Sequence, residues 1–191
     1  EVLDLIDHLR RNHEGKTCRL VIAGSSLLSG SGSSKKLRYA NLMRDWVIHL
    51  AGQLTAQPFE TLILGKEEGR KVRFAPLPKE TATRHLDAIL GQWIEASTRA
   101  LPLHVEAGFA WIYSFYQSKK FLGDHERAIS DAQQAYTTAL ERDTGYLRGA
   151  FDSAEALMQS GEFEALLHAL YVPLWEAEQD KSAAGEIEGK L

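Results

Sequence analysis

Two or three carboxylates projecting from adjoining strands onto one divalent ion, with a lysine or a water to supply the nucleophile, are what metal-dependent phosphodiester hydrolysis requires. Between Cys18 and Phe74, the stretch that holds the strand-like runs, the only acids are Asp45, Glu60, Glu67 and Glu68. Asp45 falls inside a helical pattern, Glu60 starts a strand-like run, and Glu67 and Glu68 sit in a turn, where carboxylates ordinarily just face solvent. The residue types therefore point to no metal site and no catalytic set.

Other chemistries fail on spacing. Gly24 has Ser29 five places on, and Gly30-Ser31-Gly32 continues into Ser33-Ser34-Lys35, so neither glycine-rich nucleotide fingerprint is met. Ser29-Gly30-Ser31-Gly32 offers glycine on the wrong side of a serine for a nucleophile elbow. The histidines, His8, His13, His49, His85, His104, His125 and His168, are scattered, and zinc wants tighter ligand spacing. His49 and His85 lie in helical patterns beside apolar positions, where hydrogen bonding to the backbone is the common state. Cys18 is expected to be buried and inert. No cofactor is implied.

What remains is binding. Lys35, Lys36 and Arg38 cluster at one loop end, and Arg70, Lys71 and Arg73 cluster on a strand-like run. On one side of a sheet they would track phosphates, with Tyr39 and Phe74 close enough in sequence to stack on a base. The plain alternative is a solvated face of ordinary lysines and arginines. Trp93, Phe109, Trp111, Tyr113, Phe115 and Tyr116 exceed what one apolar stripe needs, because 109, 113 and 116 share a helix face while Trp111 and Phe115 point elsewhere. A second covered face suggests a partner or a neighbouring domain.

The elements that must position these residues follow from periodicity. Val2, Leu5, Ile6 and Leu9 have helical spacing; Asn12 to Gly15 reads as a turn; Cys18 to Ala23 reads as a buried strand. Ser25 to Ser34 has too little apolar surface to offset its ordering and is expected to be mobile. Leu37 to Ala40 reads as a short strand, and Leu42, Trp46, Val47, Leu50 and Leu54 line one face of a helix that ends near Gly52 to Thr55. Thr61 to Leu64 and Lys71 to Phe74 read as a hairpin around a polar turn. After Pro76 and Pro78, the residues Ala82, Leu86, Ile89, Leu90, Trp93 and Ile94 mark a long amphipathic helix. Beyond Pro102 the chain reads as helical: Val105 to Lys119, Glu126 to Leu140, a tight connector at Tyr146 to Phe151, Ala154 to Met158, and Phe163 to Tyr171 with Pro173 ending or kinking it. Lys181 to Leu191 is expected to fray.

The 191 residues are 44% hydrophobic and 25% charged, with a formal charge of −4 and a pI near 6.0, so a nucleic-acid contact would have to be a local patch. A single cysteine fits a reducing compartment, and no run approaches the length of a membrane span, so the cytoplasm is the expectation. The opening on Glu1, within a helix-like pattern, suggests a piece of something longer.

Several blocks resemble, in order and spacing, the C-terminal region of RecC, the gamma subunit of exodeoxyribonuclease V. They are Leu42-Met43-Arg44-Asp45-Trp46-Val47-Ile48-His49-Leu50-Ala51, Arg73-Phe74-Ala75-Pro76-Leu77 and Ala88-Ile89-Leu90-Gly91-Gln92-Trp93-Ile94-Glu95. Pro102-Leu103, Ala128 to Tyr136, Glu141-Arg142-Asp143 with Tyr146 and Phe151, and Tyr171-Val172-Pro173-Leu174-Trp175 look like its later blocks, a coverage of about Leu20 to Glu176. The resemblance implies a fold similar to a PD-(D/E)XK nuclease domain, with the family's acid, acid and lysine positions falling near Gly24, Arg38 and Ala40. It also implies RecB-like and RecD-like partner subunits, and contact with double-stranded DNA ends and their separated strands during recombinational repair.

The expectation is an α/β domain over residues 1–176, with a small mixed sheet flanked by helices, a helical C-terminal extension and a tail over 177–191. Its function is expected to be non-catalytic, docking subunits and guiding strands. The rivals are a divergent metal nuclease using Glu60, Glu67 or Glu68, and a helical adaptor without DNA contact.

Overall fold

The computed structural model describes residues 6–11, 13–30, 35–66, 70–117, 122–143, 145–159 and 161–179. The chain divides into two compact units, Glu1–Asp87 with Leu174–Leu191, and Ala88–Pro173. The expected mix of a small sheet and many helices is present, with all the described strands in the first unit.

In the first unit β1 (Leu9–Arg11), β2 (Thr17–Ile22), β5 (Glu60–Leu64) and β6 (Lys71–Phe74) form one sheet in the order β1-β2-β5-β6. β1 and β6 run antiparallel to their neighbours, while β2 and β5 are parallel, with Arg19 opposite Thr61 and Val21 opposite Ile63. Because side chains alternate across a strand, this register puts Arg19, Thr61, Ile63, Val72 and Phe74 on one face. α1 (Met43–Gln53) packs against β5, contributing buried Trp46, His49, Leu50 and Gln53. Gly52 lets the helix close on the strand: a Cβ there would collide with the Phe59 ring.

The structure changes several local expectations. Leu9 belongs to strand β1 and not to an N-terminal helix, because it pairs with Arg19; Val2 and Leu5 lie outside the described residues. β2 is a half-buried strand whose one buried residue is Arg19, with Cys18 intermediate and Ile22 exposed. The serine-rich segment holds β3 (Leu28–Ser29), paired antiparallel with β4 (Lys36–Leu37), and Leu27 is fully buried beside it, so an apolar anchor orders part of that loop. Residues 31–34 lie outside the described set. β4 gives way after Leu37 to a 3₁₀ turn, Tyr39–Asn41, that leads into α1. Val47 is exposed and does not join the core stripe. The β5–β6 hairpin is as expected, its turn residues 67–69 lying outside the described set.

α2 (Lys79–Ala96) runs out of the first unit into the second. Its apolar residues do have helical spacing, yet Ala82 alone is buried in it, and Leu90, Trp93 and Ile94 are 51%, 72% and 63% exposed.

The second unit is helical. α3 (Val105–Ile112) is capped by His104, whose ring nitrogen accepts from Ala107 N, and it continues as a π-helical turn, Tyr113–Gln117. α4 (His125–Arg142) is capped by Asp124 and buries Ala128, Ala132, Tyr136 and Leu140, a four-residue repeat facing α3. The Tyr136 hydroxyl donates to Phe151 O at 2.8 Å. Tyr146 to Phe151, expected as a connector, holds a short helix α5 (Tyr146–Ala150). α6 (Ala154–Met158), capped by Ser153, lies where the sequence puts it. α7 (Glu162–Leu166) passes through a second π-helical turn, Leu167–Tyr171, into α8 (Val172–Gln179), so the helical run continues past Pro173, with the π-helical turn directly before the residue whose N–H is missing.

The aromatic surplus on α3 is absorbed inside this unit. Phe109 stacks on Tyr171 at 5.1 Å, and Trp111, 1% exposed, stacks on Phe115 at 4.7 Å with His168 edge-on. Trp111, at the centre of the second aromatic face, is therefore covered by the chain itself, because α4 and the segment 167–171 pack around α3, while Phe115 is half-buried. Gly108 allows this approach: an added Cβ would lie 2.6 Å from Leu167 Cδ2 and 2.8 Å from Tyr171 Cδ2.

Candidate nucleic-acid interface

Asp45, His49 and Gln53 recur every four residues along α1, so they form one polar row on the helix face that meets the sheet. Each finds a specific partner. Asp45 Oδ1 accepts from Arg19 Nη1 at 2.8 Å, with Arg19 4% exposed. His49 Nδ1 lies 3.0 Å from Thr61 Oγ1 and Nε2 3.0 Å from Ala75 O. A neutral ring protonated on Nε2 satisfies both: it donates to the Ala75 carbonyl and accepts from the Thr61 hydroxyl. Burial pushes its pKa down from 6.5 to about 4; the Ala75 hydrogen bond opposes that shift and the Arg19 charge adds to it. Gln53 Nε2 donates to Phe59 O at 2.8 Å and to His49 O at 3.1 Å, while its Oε1 accepts from Leu77 N at 3.1 Å. The row thus fastens β2, β5 and the Ala75–Leu77 connector to one helix.

On the opposite face of the sheet Glu60 accepts from Arg73 at 2.7 Å, both half-buried. The two acids of the strand region that are described, Asp45 and Glu60, are therefore each held by an arginine. Among the described residues no three carboxylate, histidine or cysteine side chains are placed to share a metal ion; Glu67 and Glu68 lie outside them.

The six basic residues fall into two settings. Lys35, Lys36 and Arg38 are exposed along and beside β4 in the two-stranded ladder. Lys71 and Arg73 alternate with buried Val72 and Phe74 and so share the face of edge strand β6 turned away from α1, with Arg70 just before them. Lys71 is exposed, Arg73 is tied to Glu60, and Arg70 reaches Glu178 on α8 at 3.4 Å. Glu178 also accepts from the Tyr39 hydroxyl at 2.9 Å. The expected base-stacking pair is corrected: Tyr39 is 2% exposed and Phe74 0%, both in the core, so neither offers a ring to a nucleotide. Gly24 follows β2, and Arg38 and Ala40 flank or enter the 3₁₀ turn, so no acid or lysine occupies those positions.

Sequence reasoning missed the α1 row. Its signal was the Asp45, His49, Gln53 spacing of four, which puts three polar groups on a face otherwise made by Trp46 and Leu50.

The molecule is thus a mixed α/β unit joined to a helical unit, with an arginine-neutralised polar seam under its sheet and basic residues on its outer strands. The profile of the RecC C-terminal domain family matches residues 3–116, more than half of the chain. The chain belongs to that family, which connects it with RecBCD, exodeoxyribonuclease V, and with DNA repair. A comparison with the curated proteins finds no match. No helix among the described residues is long and apolar enough to cross a membrane.

Proposed function

We propose that this chain is a non-catalytic, subunit-docking and strand-guiding element of a RecBCD-type complex, acting with RecB-like and RecD-like subunits on double-stranded DNA ends in the cytoplasm. In this reading the sheet has the frame of a PD-(D/E)XK nuclease without its metal ligands. The observation that carries it is the state of the acids: Asp45 and Glu60, the described acids between Cys18 and Phe74, serve as counterions to Arg19 and Arg73. A carboxylate bound to a guanidinium at 2.7–2.8 Å has committed its best acceptor geometry to that cation. The outer basic residues Lys35, Lys36, Arg38 and Lys71 then make phosphate contacts, with Arg70 and Arg73 joining when a phosphate competes with Glu178 or Glu60.

The test is binding of forked DNA by the chain, alone and with its partner subunits, across a salt series. Affinity should fall steeply with salt, and replacing Lys35, Lys36 and Arg38 by alanine should reduce the log–log slope by about 0.7–0.9 for each phosphate left without its cation. Partner association without any salt-dependent DNA binding would instead favour a helical adaptor.

A further inference from the structure

We propose that the sheet face turned away from α1 seats an amphipathic helix of a partner subunit, its apolar stripe on Leu20, Ile22, Leu62 and Leu64 and an acidic flank against Arg10; this rests on the docking reading above. The register fixes the members of that face. Leu20 lies opposite Leu62 and Ile22 opposite Leu64, Cys18 lies between Arg10 and Glu60, and Arg73 and Lys71 follow on β6. The runs Leu20-Val21-Ile22 and Leu62-Ile63-Leu64 are apolar without alternation, the pattern of parallel strands covered by helices on both faces. Among the described residues α1 covers one of the two, where Thr61 and Ile63 are buried. On the other face Leu20, Leu62 and Leu64 are half-buried and Ile22 is 78% exposed.

Dimensions and charges decide what fits there. Neighbouring strands lie about 4.8 Å apart and a helix with its side chains is about 10 Å across, so one helix laid along the β2–β5 pair covers all four apolar residues and brings its flanks over β1 and β6. On β1 the flank meets Arg10, which is exposed and has no ion-pair partner within 4 Å among the described residues. An acidic residue on the helix completes it. On β6 the flank meets Arg73 and Glu60, which already neutralise each other. A second copy does not fit: both rims of the face carry an exposed cation, Arg10 on β1 and Lys71 on β6, so stacking two such faces sets cation against cation. A DNA strand does not fit over the floor either, since four aliphatic side chains give its bases no aromatic ring to stack on, and Lys71 at the outer rim stays open to a phosphate.

The experiment places a photo-crosslinking benzophenone amino acid at position 22 in the complex of this chain with its partner subunits and maps the crosslinked peptide by mass spectrometry. The expected product joins position 22 to a partner segment with apolar residues at i, i+3 or i+4 and i+7 and with aspartate or glutamate on the adjoining flank. Affinity is measured in parallel for Ile22→Lys and Arg10→Glu. Ile22→Lys should weaken association about 30-fold or more with an unchanged melting temperature, because the residue faces solvent in the chain alone. Arg10→Glu should weaken it about tenfold at low salt, with the difference shrinking as salt is raised. A crosslink to DNA, to a second copy, to this same chain or to a partner segment without that pattern would overturn the inference while leaving the docking reading intact. So would an assembled complex with no crosslink, or full affinity in either variant. No association of the unaltered chain with the partner subunits would overturn the docking reading itself.

Discussion

Protonating His49 should loosen the junction between α1, β5 and the connector to α2. The neutral ring donates from Nε2 to Ala75 O and accepts at Nδ1 from the Thr61 hydroxyl, and it is fully buried. A charged ring there would lie near the Arg19 guanidinium with no carboxylate bonded to it. Its pKa is about 4 in the folded chain against 6.5 for a free imidazole. Since the folded value is the lower one, the unfolded chain binds the proton more tightly, and stability rises with pH across this interval. The contribution is complete above 6.5, falls away as the pH drops from 6.5 towards 4, and is gone below that. Between pH 7.5 and pH 5 the linkage relation gives a loss of about 2 kcal/mol from this one group. Urea unfolding at a series of pH values, for the unaltered chain and for His49→Gln, isolates it from every other titrating group. His49→Gln should be less stable at pH 7.5 yet should lose about 2 kcal/mol less than the unaltered chain on going to pH 5. Parallel stability curves for the two proteins over that range would refute the neutral, buried assignment.

The packing and the ion pairs make three further outcomes testable. Asp45→Ala leaves buried Arg19 with only the more distant Asp7 carboxylate, at 4.0 Å, and should cost about 3 kcal/mol in urea unfolding, whereas replacing Arg19 by Met and Asp45 by Leu together should cost much less. Gly108→Ala forces Leu167 and Tyr171 aside and should lower stability by about 1–3 kcal/mol, seen as a lower urea midpoint with an unchanged slope. Glu178→Gln removes the carboxylate that faces Arg70 and should raise the affinity of the chain for forked DNA at low salt; unchanged affinity would exclude Arg70 from the DNA contacts.

Much of this architecture was legible because periodicity reports burial. The β5–β6 hairpin, the span of α1 and the position of α6 come straight from short strand-like runs around a polar turn and from helical apolar spacing. The failures share one physical cause: local pattern does not say which surface covers a residue. Leu9 carries a helix-like spacing but is claimed by a ladder with β2, and Leu27 is drawn into the core from a segment that is otherwise serine and glycine. Trp111 points away from the α3 stripe, as the spacing requires, yet it is buried within its own unit, with His125 of α4 and His168 of the 167–171 turn edge-on to its ring. The α2 stripe misleads in the opposite sense, since it has the pattern of a core helix throughout and yet Leu90, Trp93 and Ile94 stand largely in solvent. At the candidate interface the basic residues could be named from sequence, but their ion pairs with Glu60 and Glu178 depend on approaches across 13 and 108 positions of chain. Tyr39 and Phe74 show the same limit, being neighbours of basic residues in sequence and core residues in space.

The central question is whether the carboxylates at the sheet neutralise arginines or hold a metal ion. DNA cleavage by the purified chain, measured with magnesium or manganese and again with chelator, for the unaltered protein and for Glu60→Gln, tests this most directly. If they neutralise arginines, neither protein cleaves DNA with metal, and Glu60→Gln alters only stability and the environment of Arg73. Cleavage that chelator abolishes and Glu60→Gln removes would contradict that assignment.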